Sequence, residues 1–143
     1  MAAAARSGQS GAVSVVMDGS DGRRLSLDSL DGTAEDLRYL ATLTTEAGEC
    51  TVGVWEYNSG LAAFVRSLAN DWAGFPGERS YASIEGHLTL VCRHDGRGTV
   101  GCRVTIGQVW PPQWSMTADL DFGAGAHLER IADDVELFFH GRT

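Results

Sequence analysis

The sequence predicts an α+β fold: a single domain with a mainly antiparallel sheet of six to seven strands and two amphipathic helices packed on one face. Three observations carry this. Two segments repeat apolar residues at helical spacing, the segments around them alternate with a period of two, and 143 residues are one domain's worth of chain. A fold of that size buries roughly two-thirds of its unfolded surface, so one core suffices.

Taken in order, Val13 to Met17 and Leu25 to Leu27 read as short strands separated by the turn-rich Asp18-Gly19-Ser20-Asp21-Gly22. Residues 33–45 carry two patterns. Thr33-Ala34-Glu35-Asp36 resembles a helix start, whereas Leu37, Tyr39, Ala41 and Leu43 alternate with polar neighbours. The alternation favours strand. Glu49 to Tyr57 alternates as well, and its parity sends Trp55 and Tyr57 to the side opposite Val52 and Val54. That side is either an open sheet face or a second small core under a covering amino-terminal strand.

Asn58 to Gly74 is the clearest helix, with Leu61, Phe64, Val65, Leu68 and Trp72 as its apolar stripe, Asn58 or Ser59 as its cap, and Gly74 with Pro76 as its stop. Gly77-Glu78-Arg79-Ser80 reads as a charged loop. Ile84, Leu88, Leu90 and Cys92 then form one face of a strand, and Val100, Cys102, Val104 and Ile106 one face of the next. For both sets to face the core the connecting loop must hold an odd number of residues. Gly96-Arg97-Gly98 meets that condition and places Cys92 opposite Cys102. After a turn at Trp110-Pro111-Pro112, a strand from Gln113 to Phe122 turns Trp114, Met116, Ala118, Leu120 and Phe122 inward and sets Arg103 across from Asp119 on the outside. Ala126 to Phe139 is the second helix, closed by Gly141. Met1 to Gly11 reads as a disordered tail, and residues 12–143 as the single α+β domain.

Composition narrows the function classes. No run approaches the roughly 18 apolar residues that span a bilayer, and the amino terminus lacks the apolar core of a signal peptide, so a cytoplasmic location is expected and a membrane one is not. The three cysteines, without C-x-x-C spacing, are expected to be reduced and buried. A net charge of -8 with no local basic stripe argues against nucleic acid and for a basic protein partner. All eleven basic residues are arginine, as in chains from high-GC bacterial genomes.

No catalytic pattern emerges. His87, His94, His127 and His140 are scattered, and Cys92-x-His94 shares its strand face with the core, so no metal is expected. No nucleophile elbow surrounds a serine, and no glycine-rich loop is followed by the lysine of a phosphate loop. Asp119, Asp121, Asp133 and Asp134 have no spacing that favours paired-carboxylate hydrolysis, and solvated surface is their expected fate. No cofactor is expected. The residues singled out for partner binding are Trp55, Tyr57, Arg103, Asp119 and Asp121.

Trp55, Leu61-Ala62-Ala63-Phe64, Leu68, Trp72, Gly74 and Gly77-Glu78-Arg79 match a known pattern. So do Leu88, Gly98, Val100, Val104, Trp114, Gly123-Ala124-Gly125, Ile131, Ala132 and Phe138. Over Leu37 to Phe139 the chain resembles the bacterial domain-of-unknown-function 6228 family, with Met1 to Gly32 outside the resemblance. The family's layout is similar to WapI-type immunity proteins, cytoplasmic domains that neutralise a toxin domain, and this implies a binding role by analogy. The expected function is therefore a non-catalytic protein-binding module holding a basic partner such as a toxin domain. The alternative is a small-molecule binder or enzyme with a pocket between sheet and helices. A third possibility is an auxiliary domain that oligomerises through its sheet.

Overall fold

A computed structural model of the chain describes residues 13–33, 35–109 and 111–140. Among these the order is β1 (Val15–Asp18), β2 (Arg24–Thr33), β3 (Asp36–Thr45), β4 (Gly48–Glu56), α1 (Gly60–Asn70), β5 (Glu78–Ala82), β6 (Leu88–His94), β7 (Thr99–Val109), β8 (Pro112–Gly123) and α2 (Ala126–His140). The expected tail, residues 1–11, and the closing Gly141 lie outside the described residues.

The fold is α+β and antiparallel, but the expected single sheet is two. β1 to β4 and β5 to β8 are separate four-stranded meanders, each in sequence order and each followed by a helix. The division falls where α1 interrupts the strands. One edge of each sheet is tied to the other at two points: the Ser20 N–H donates to the Asp121 carbonyl at 2.8 Å, and the Ile84 N–H to the Trp55 carbonyl at 3.2 Å. α2 packs on α1 and touches both β1 and β8, so it closes the core over the two sheets together.

Parity places the side chains. Val15, Met17, Leu25, Leu27, Tyr39, Ala41, Leu43, Val52 and Val54 line the inner face of the first sheet. Leu88, Leu90, Cys92, Val100, Cys102, Val104, Ile106, Leu120 and Phe122 line that of the second, and all belong to one core with the helix stripes. Residues 36–45 are strand, as the alternation requires. The hairpin of β6 and β7 has the three-residue loop: the Asp95 N–H donates to the Thr99 carbonyl at 2.9 Å, and Gly98 sits at φ +93°, where a side chain would be strained. Gly107 is glycine for lack of room, since a Cβ there would lie 2.3 Å from the Trp114 carbonyl oxygen.

Several expectations are corrected. Trp72 lies beyond the end of α1, in the turn before Gly74, and is 61% exposed. Trp114 has the inward parity but sits where β8 runs past the core, so it is 39% exposed. Ile84 falls in the loop before β6 and is likewise exposed. Glu78 to Ser80 are strand, not loop, because they pair with Arg93 to Val91. Ser59 stands at the N-cap but makes no capping bond there; its hydroxyl pairs with His140 Nε2. Cys92 and Cys102 do face each other, 4.1 Å apart at Cα, and form a disulfide, so only Cys50 is a free thiol. Disulfides belong mostly to oxidising compartments, so the cysteines give the expected cytoplasmic location no support. Among the described residues no helix is long and apolar enough to cross a membrane.

Candidate functional site

The five residues singled out from the sequence form two clusters on different sheets. On the outer face of the first, Trp55 of β4 pairs across the ladder with Arg38 of β3. The Trp55 indole N–H donates to Asp36 Oδ1 at 2.6 Å, the Arg38 guanidinium lies 5.3 Å from its ring centre, and the Tyr57 ring meets it edge-on at 5.7 Å. Tyr57, just past the strand, is 59% exposed. A groove of about 530 Å³ opens beside Trp55, lined also by Arg38, Leu40, Gly53 and His87 and by the carboxylates of Asp31 and Glu85. Nothing lies within 4 Å of where a Gly53 Cβ would stand, so the middle of the groove is open. Among the described residues no ion pair reaches Asp31 or Glu85.

On the outer face of the second sheet, Arg103 and Asp119 pair as the register predicts. Arg103 Nε donates to Asp119 Oδ1 at 2.9 Å and Nη2 to Oδ2 at 3.3 Å. That guanidinium holds the Asp119 carboxyl below the usual carboxylate range, so the acid is committed to its neighbour. Asp121 lies in the same shallow groove of about 570 Å³, with Glu78, Arg93 and Asp95. His94, also on its wall, is engaged at both nitrogens: Nδ1 accepts from the Gly96 N–H at 2.9 Å, and Nε2 meets the Trp72 carbonyl at 2.8 Å.

A third cluster was missed. Glu56, at the end of β4, is only 3% exposed. Its carboxylate accepts the Tyr39 hydroxyl and, at 3.2 Å, the Leu61 N–H in the first turn of α1. The carboxylate thus caps the helix in place of Ser59. Burial pushes the Tyr39 and Tyr81 hydroxyls well above their ordinary pKa. The signal was present: the parity that turns Trp55 outward turns Glu56 inward beside Val52 and Val54.

Nothing in these clusters sets a nucleophile against a base. Asp133 and Asp134 are paired with Arg66 and Arg130, and among the described residues no three His, Cys, Asp or Glu side chains group as metal ligands.

Fold and surface together define a small two-sheet α+β domain whose polar side chains serve helix capping, register and outward-facing grooves. The chain belongs to the Family of unknown function (DUF6228), which it matches over residues 16–142. The match reaches β1 and β2, which the resemblance read from the sequence had left outside. No curated protein matches the chain.

Proposed function

We propose that this domain is a non-catalytic protein-binding module that holds a basic partner on the outer face of its first sheet. The observation that carries this reading is the groove at Trp55: an aromatic wall shared with Arg38 and continued by exposed Tyr57, an apolar flank at Leu40, and two carboxylates, Asp31 and Glu85, that outnumber the one guanidinium in the lining. Such a groove accepts the aliphatic stem and charged head of an arginine or lysine, and Trp and Tyr are the side chains that most often dominate interface energies. The net charge of -8 would draw a basic protein from a distance. Asp121, on the second sheet, supplies a further carboxylate to a partner large enough to reach it. A basic toxin domain is the partner class that the resemblance read from the sequence implies.

The test is calorimetric titration with the basic protein that co-purifies stoichiometrically from the native host. Its affinity should fall as salt rises, and Trp55→Ala should weaken it about 30-fold, the equivalent of about 2 kcal/mol. Unchanged affinity in both Trp55→Ala and Tyr57→Ala, or indifference to salt, overturns the reading.

A further inference from the structure

Glycine weakens a strand, because it loses the most conformational freedom on folding and brings no side chain to pack. A glycine inside a strand therefore needs a reason. Gly32 and Gly48 have one in their left-handed backbone, at φ +99° and +128°. Gly107 has one in the Trp114 carbonyl, while Gly101 and Gly123 would set a Cβ 3.2 Å from Asp121 Oδ1 and from the His127 Cβ. Gly53, in the body of β4, has none of these. Its backbone is not left-handed, and a Cβ built there would meet nothing within 4 Å. No bulge explains it either, since it pairs with Leu40 in a register that runs unbroken from Leu37 and Glu56 to Thr45 and Gly48. For the fold alone, a β-branched residue would serve better at this position.

What the missing side chain leaves is room on the outer face, in the groove beside Trp55. The Gly53 and Trp55 carbonyls point away from β3, toward His87 Nδ1 and the Ile84 N–H. Leu40 and Gly53 therefore form a non-hydrogen-bonded pair, the kind whose side chains stand closest. Any side chain at 53 would lie against Leu40 and fill the groove; without one, the strand backbone is its floor. Charge selects what can lie there. Arg38 already has partners, with its Nε 3.6 Å from Asp36 Oδ1 and its guanidinium over the Trp55 ring. Asp31 accepts only the Gly32 N–H, and Glu85 has no partner among the described residues. The unmatched charge of the lining is thus negative, beside the apolar surfaces of Leu40 and Trp55.

We infer that Gly53 is the specificity-determining position of this groove, holding its floor open for one long unbranched cationic side chain of the partner. That side chain lies flat on the β4 backbone, its stem against Leu40 and Trp55 and its charged head at Asp31 or Glu85. The inference rests on the reading of the groove as a partner site, and adds to it the class of side chain that enters and the residue that admits it. A glycine that costs the strand stability and gives access in return is the pattern expected where a ligand approaches the backbone closely.

The test is a nuclear magnetic resonance titration of the full chain with the peptide acetyl-Gly-Arg-Gly-amide, followed at the Trp55 indole N–H and the Leu40 methyls. Both signals should shift saturably in the millimolar range, and the same peptide with citrulline, which has arginine's shape without its charge, should bind at least about fivefold more weakly. Gly53→Val should raise the thermal midpoint by about 3 °C and weaken the arginine peptide at least about tenfold. A glycine needed by the fold would give the opposite change in stability. Should valine disturb the fold, Gly53→Ala decides, with stability no lower than wild type and affinity reduced about threefold. Lower stability in Gly53→Ala overturns the inference, as does a citrulline peptide that binds as well as the arginine one. If Gly53→Val binds normally while Trp55→Ala does not, Gly53 loses its role and the groove keeps its own. If neither variant changes binding, or the wild type shows no shift up to about 50 mM peptide, the groove reading falls and this inference with it.

Discussion

Glu56 shows how much one buried side chain can govern. Two donors, the Tyr39 hydroxyl and the Leu61 N–H, depend on its carboxylate, and neither has water to turn to. Glu56→Ala strands both and should cost about 3 kcal/mol in urea unfolding, while Glu56→Gln, which keeps a carbonyl oxygen, should cost roughly half of that. Equal losses in the two variants would mean that volume, not acceptance, is what Glu56 supplies. Glu46 is the surface counterpart. Arg23 grips it with two hydrogen bonds, Nε to Oε1 at 3.0 Å and Nη2 to Oε2 at 2.9 Å, and holds its pKa at about 2. A depressed acid stabilises the fold fully above its unfolded value near 4.5 and loses that contribution as pH falls toward 2. Carboxyl NMR should find the Glu46 midpoint near 2 and, in Arg23→Gln, displaced back toward 4.5. At this scale the sequence was legible in direction and not in depth. Period two correctly turned Trp55 outward and Leu120 inward, and it turned Trp114 inward too. Alternation says which side of a sheet a residue takes, whereas only the extent of the packed layers says whether anything lies on that side.

Arg66 clamps the two helices together. From α1 it reaches three carboxylates of α2, with Nε and Nη2 on Glu136 at 2.9 and 2.8 Å, Nη1 on Glu129 at 2.7 Å and Nη2 on Asp133. Arg66→Met keeps the aliphatic stem and leaves those acids facing one another without a cation. It should lower stability by about 1 kcal/mol in denaturant, and Arg66→Lys, which cannot fork, should recover less than half. The β6–β7 hairpin offers a chemical check on its register. With Cys92 and Cys102 joined, the denatured unreduced chain should take up iodoacetamide once, at Cys50, and three times after reduction, as read by mass spectrometry. Uptake at all three sites before reduction would exclude the bond. This hairpin was the most legible element, because parity on both strands and two glycines left one loop length. β5 was the least: its Tyr81 is the one large apolar residue among charged and small neighbours, too short a run to show a period. Trp72 extended the helical stripe on paper, but α1 ends at Asn70.

The whole molecule repeats one plan, a four-stranded meander followed by a helix, with no repetition in its residues to announce it. A string of strands and helices fixes neighbours along the chain but not where a sheet ends, so a single larger sheet fitted the same alternation. What makes the two meanders one domain is their core. Each sheet has one apolar face, both faces turn toward the same interior, and α2 packs against a strand of each. Neither meander could keep its face from water alone, which requires that they unfold together. Leu27, from the first sheet, and Leu90, from the second, are both fully buried. Leu27→Ala and Leu90→Ala should each cost about 2–5 kcal/mol, and each should move one common transition in which far-ultraviolet circular dichroism and tryptophan fluorescence stay superimposed. If Leu90→Ala instead produced an early step, with the first sheet melting later at its unaltered midpoint, the meanders would be two stability units in contact, and the shared core could not be what binds them.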